Sequence, residues 1–167
     1  MAEKDVILKE SVDYTGIYSY PAFYGFAHSW LNDEKEYGVI EEKYAEKISG
    51  NSKAIDIEWK ATKKISDYFK IEISVKFEIK NLVDVEVEID GKKKKSNQGK
   101  VKVEIKGVLI KDYNSEWDVS KGWRFMRDLY NKYLVPSRVD AMEGKVVGDV
   151  KEFKEELKAF LEVSGRR

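Results

Sequence analysis

The chain has 167 residues, of which 42% are hydrophobic and 37% charged, with 31 basic residues against 31 acidic ones. That length fits one domain with a real core, and we read residues 1–167 as a single domain. Zero net charge argues against a generic polyanion binder, and the absence of Cys excludes disulfides, thiolate metal sites and thiol nucleophiles. His28 is the sole histidine, which rules out a multi-histidine metal centre within one chain. Residues 1–5 lack the apolar core of a signal peptide, and no apolar run is long enough to span a bilayer, so a soluble cytoplasmic protein is the expectation.

Val6, Ile7 and Leu8, followed by Val12 and Tyr14, read as a first strand, with a turn at Thr15-Gly16. Pro21 suits the first turn of a helix. Phe23, Phe26, Ala27, Trp30 and Leu31 then repeat at helical spacing, and Asn32-Asp33 marks the exit. Residues 39–48 suit either a helix or a strand. The adjoining sheet tips the reading to a strand with Ile40, Tyr44 and Ile48 on one face. A turn follows at residues 49–52.

From Ile55 to Tyr113 apolar and charged residues alternate almost without a break. A period of two specifies extended strands with one dry face and one wet face, hence an antiparallel sheet buried on one side. Strands are expected over 54–63, 68–80, 83–89 and 100–111. Asn81-Leu82 marks either a bend or a very tight hairpin. Asp90-Gly91 opens a reversal with a long loop through Gly99. Gly107, before Val108, Leu109 and Ile110, points to a bulge or to a strand buried on both faces.

The C-terminal third reads as helical. A long helix is expected over 120–135, ending before Pro136, with Trp123, Met126, Leu129, Tyr130 and Tyr133 on one side. A short segment with Val139 and Met142 follows. Gly148-Asp149 then starts a last helix with the stripe Val150, Phe153, Leu157, Phe160 and Leu161.

The fold class is therefore α+β: a twisted antiparallel sheet of five to seven strands packed on a long C-terminal helix, with a short N-terminal helix. The order strand, helix, run of strands, long helix resembles that of helix-grip folds of the START and Bet v 1 type. Those folds enclose an apolar pocket under the last helix. The resemblance lies in element order alone, and an extra C-terminal helix departs from it.

No carboxylate pair, phosphate loop or nucleophile elbow has catalytic spacing, so we assign no catalytic residue, metal or cofactor. His28 falls well off the apolar face of its helix and has no specific partner, which marks it as a surface histidine. Aromatic residues make up 13% of the chain. They cluster near the first helix (Tyr14, Tyr18, Tyr20, Phe23, Tyr24, Phe26, Trp30) and near residues 117–133. Core packing is their commonest use; the functional reading is an aromatic-lined cavity between sheet and helices, which would take an apolar small molecule. Its candidate ligand-binding residues are Trp30, Tyr44, Trp59, Trp123, Arg127 and Tyr130. Arg127 would meet an acidic group such as Asp112 or a ligand's carboxylate. Lys92, Lys93, Lys94 and Lys95 form a candidate nucleic-acid-binding finger, against the simpler reading of a solvated turn. The leading expectation is thus a non-catalytic binding domain. The alternative is an interaction or assembly protein that meets RNA or a protein partner through those lysines and exposed aromatics. A stacking platform on the sheet is disfavoured, because its wet face carries Glu and Lys in place of rings.

Overall fold

A computed structural model describes residues 3–66, 68–111 and 136–165. Five strands make one antiparallel sheet: β1 (Glu3–Tyr18), β2 (Gly38–Ser49), β3 (Ser52–Lys64), β4 (Phe69–Ile89) and β5 (Lys92–Lys111), in the spatial order β1-β5-β4-β3-β2. Among the described residues two helices accompany it, α1 (Tyr20–Ser29), prolonged by a π-helical turn (Trp30–Glu34), and α2 (Pro136–Gly165). This is the expected α+β class. The helix expected over 120–135 lies outside the described residues.

The alternating pattern does what its period requires. Ile55, Ile57, Trp59 and Ala61 of β3, Ile71 to Ile79 at odd positions of β4, and Val101, Val103 and Ile105 of β5 are all buried. Their charged neighbours form ion pairs on the other face, such as Lys76 with Glu78 and Lys102 with Glu104. α1 and α2 close the apolar face. Phe23 of α1 meets Tyr18 and Phe77 edge to face, and Trp30 stacks on Phe153 of α2 at 5.0 Å.

Three expectations need correction. The last helix begins at Pro136, not at Gly148: Val139, Met142, Val146, Val150, Phe153, Leu157 and Leu161 form one continuous stripe against the core. Burying each such side chain contributes about 1.5–3 kcal/mol, which outweighs the roughly 1 kcal/mol that Gly144 and Gly148 each cost the helix.

Residues 92–95 are not in a long loop. They are paired strand, opposite Ile89, Glu88, Val87 and Glu86. Asp90 and Gly91 have φ of 53° and 77°, the conformation of a two-residue hairpin turn whose twist matches its strands, so the chain reverses at once. The β4–β5 ribbon consequently runs past the end of β1, whose last pair is Tyr18 with Asn97.

Ile40 does not share a face with Tyr44 and Ile48. The register of β2 on β3 shifts between Glu41 and Lys43, so two residues oppose one and the alternation changes parity. A similar shift at Asn81 (φ 56°) carries β4 through without a break and decides between bend and hairpin in favour of a bend. The irregularity expected at Gly107 is present too. β1 shifts register between Val6 and Leu8, opposite Gly107, and Val108, Leu109 and Ile110 are all buried.

Candidate functional site

α1 separates two concave regions, and its own sequence explains both. Ser19 caps the helix by accepting from the Ala22 N–H, and Pro21 sits in the first turn. The Tyr20 N–H, which a helix start would otherwise leave unpaired, donates to Asn97 Oδ1 at 2.9 Å. Asn97 in turn donates to Asp84 at 2.9 Å. One side of α1 thus faces the β4–β5 ribbon and α2, and the other faces β2.

On the first side lies an open groove of about 620 Å³. Phe26, Ala159, Phe160 and Val163 supply much of its apolar wall, with Phe26 and Phe160 stacked at 4.9 Å. Val87, Lys94 and Lys95 of the ribbon close it, and Glu156 lies on its rim. Val163 is 52% exposed, high for an apolar side chain on a packed helix. Neither Lys94 nor Lys95 forms an ion pair among the described residues, although Lys95 stands across from Glu86. Tyr18 borders the groove; its hydroxyl is buried and has no hydrogen-bond partner among the described residues. Burial pushes that phenol well above its ordinary pKa, so it stays a neutral donor at any physiological pH.

On the second side Tyr20, Pro21, Tyr24, Glu41 and Tyr44 line a shallower recess of about 490 Å³. The Tyr20 and Tyr44 hydroxyls share a hydrogen bond of 2.8 Å. Tyr24 donates to Glu41 Oε1 at 2.7 Å, and Trp59 Nε1 donates to the same oxygen at 3.2 Å. Burial, and then the adjoining Glu41, push the Tyr24 phenol up to about 12.

A third concavity, about 610 Å³, lies over strand residues including Lys76, Lys102 and Lys106 together with Glu42, Glu58 and Glu104. Both signs of charge meet there, and Lys102 already pairs with Glu104 and Glu42 with Lys60, so it favours no charge class.

The structure brings two of the sequence-derived candidates together. Tyr44 and Trp59 both contact the Tyr24 ring, with centroids 6.4 and 5.3 Å away. Trp30 is instead buried in the core on Phe153, and Trp123, Arg127 and Tyr130 lie outside the described residues. Residues 92–95 are all exposed, and two of them reach the groove. His28 packs edge to face on Trp59 at 5.7 Å. The sequence reading missed Tyr20, Tyr24 and Glu41 as site residues. The i, i+4 spacing of the two tyrosines, off the Phe23–Ala27 face, is the signal that was legible. Glu41 carried none, because its position depends on the β2 bulge.

Among the described residues no cluster of His, Asp or Glu has metal-binding geometry, and no helix is long and apolar enough to cross a membrane. No protein-family model, curated protein or solved structure gives a significant match to this chain.

Proposed function

We propose that this is a non-catalytic binding domain whose groove beside α1 holds an apolar ligand with an anionic end. One observation carries the reading: the apolar wall of Phe26, Ala159, Phe160 and Val163 stands next to Lys94 and Lys95, two cations without an ion-pair partner among the described residues. Apolar walls with a few placed polar groups are the usual make-up of small-molecule sites. The test is a titration with a fluorescent long-chain carboxylate. Saturable one-site binding is expected, weakened by roughly tenfold in Lys94→Gln/Lys95→Gln, the loss of about 1.4 kcal/mol, and abolished by Ala159→Trp, which fills the groove. Absence of saturable binding, or full affinity in the double variant, would end the proposal.

A second reading rests on the exposure of all four lysines at residues 92–95. It takes the projecting ribbon as a contact for RNA phosphates. Binding to single-stranded RNA would then weaken steeply with salt, by about one counterion for each lysine engaged. Unchanged RNA affinity on replacing the four lysines with Ser would rule this reading out.

A further inference from the structure

We propose that Tyr20, Tyr24 and Tyr44, with the Glu41 carboxylate, form a cage for a methylated ammonium group, separate from the groove. Three rings meet there at steep angles. Tyr24 stands 81° to Tyr44 and 50° to Tyr20, with centroids 6.4 and 6.2 Å apart. Rings so arranged make a corner, and a cation seated in it lies within reach of several negative ring faces at once. The recess is lined by these three tyrosines, Pro21 and Glu41.

The carboxylate is held ready. Glu41 Oε1 takes hydrogen bonds from Tyr24 and Trp59, both neutral donors. Its other oxygen has no partner, and no Lys or Arg pairs with Glu41, among the described residues. A carboxylate fixed by two neutral donors beside three rings presents a negative site to a cation.

The β2 bulge creates this arrangement. In a regular strand residues 41 and 44, three apart, point to opposite faces. The register shift between Glu41 and Lys43 turns both toward α1, as their bonds to Tyr24 and Tyr20 attest. Bulges commonly re-aim side chains in this way beside functional sites.

The hydrogen-bonding capacity of the recess selects the type of cation. The Tyr20 and Tyr44 hydroxyls bond each other, and Tyr24 is committed to Glu41. A primary ammonium gives up a tightly held water shell to sit against the rings, with only Glu41 to pair its charge. A quaternary ammonium has no N–H to satisfy and gives up little hydration, so the rings favour it.

Choline and a peptide bearing trimethyl-lysine supply this group from two sources, a free small molecule and a modified polypeptide. Each is titrated while the tyrosine ring resonances are followed by NMR, with 3,3-dimethyl-1-butanol as the neutral isostere of choline and the unmethylated peptide as its control. Saturable shifts of the three rings are expected, with each control weaker by at least about fivefold. Tyr44→Ala and Glu41→Gln should each weaken binding by about fivefold or more, whereas Tyr44→Phe, which keeps the ring, should hold affinity within about twofold. Whichever source binds tighter identifies the natural one. Equal binding of the neutral isostere, no ring shifts, or a loss in Tyr44→Phe as large as in Tyr44→Ala would overturn the proposal. Tyr44 is 45% exposed, so its variants keep the core intact. Groove binding of the carboxylate probe should be unchanged in them, which keeps the two sites distinguishable.

Discussion

The Tyr37 hydroxyl donates to the Asp149 carboxylate at 2.6 Å, across 112 positions of sequence and in the protein interior. It ties the turn before β2 to the middle of α2. Lys35, two residues earlier, pairs with Glu152 at 2.9 Å, one turn further along the same helix. The first bond is charge-assisted and buried; the second is partly exposed and contributes little.

Tyr37→Phe removes the donor and leaves Asp149, only 8% exposed, without it. We expect a loss of about 1–3 kcal/mol in urea unfolding. Lys35→Gln should cost less than about 1 kcal/mol. Equal effects of the two changes would contradict this ranking.

The same interior shapes the alkaline behaviour. Burial holds protons on Tyr18, Tyr20, Tyr24 and Tyr37 above the ordinary phenol pKa near 10, with hydrogen bonding adding to it at Tyr20, Tyr24 and Tyr37. The unfolded chain releases these protons near pH 10, so above that pH it binds fewer protons than the folded chain. The associated stability is full below pH 10 and declines as pH rises. For Tyr24 the decline ends at about 12. Stability should therefore fall from pH 10 upward, and ultraviolet titration should show these phenols ionising late. A flat stability curve between pH 10 and 12 would refute the assignment.

At Gly107 α2 packs directly on the sheet. A Cβ there would meet Val146 Cγ1 at 2.6 Å and Leu8 Cδ2 and Val150 Cγ2 at 2.9 Å. Gly107→Ala should destabilise by about 1–3 kcal/mol through overpacking. Gly144 faces open space on the same helix, so Gly144→Ala should stabilise by up to about 1 kcal/mol. Opposite signs in chemical denaturation are the expected result.

Deleting Glu42 removes the extra residue of the bulge, so Glu41 and Tyr44 stand two apart in a regular strand and still face α1 together. The Tyr20–Tyr44 contact and choline binding should both survive this deletion, with the fold preserved because the bulged segment is exposed. Deleting Glu42 and Lys43 together puts Glu41 and Tyr44 on opposite faces and should abolish choline binding. Loss of choline binding on deleting Glu42 alone, or its retention in the double deletion, would show that placing Glu41 and Tyr44 on one face does not make the cage.

How much was legible in the sequence follows from what each feature depends on. The alternation that begins at Ile55 reports local geometry, since successive strand residues face opposite sides, and it specified the sheet and its dry face by itself. The stripe from Val150 to Leu161 specified the last helix for the same reason, through the 3.6-residue period. Both candidate sites depend on register, which is a relation between strands. A one-residue shift at Glu41–Lys43 reverses which side chains face α1, yet leaves the local pattern of Val39 to Ile48 unchanged. The groove likewise required the Asp90-Gly91 reversal to pair residues 92–95 and carry Lys94 and Lys95 to Phe160, far away in sequence. Periodicity is a property of neighbours along the chain. The meeting of Glu41 with Tyr24, or the lining of one groove by Lys94 and Phe160, is set by packing between elements, where burial of the apolar faces selects one register over the next.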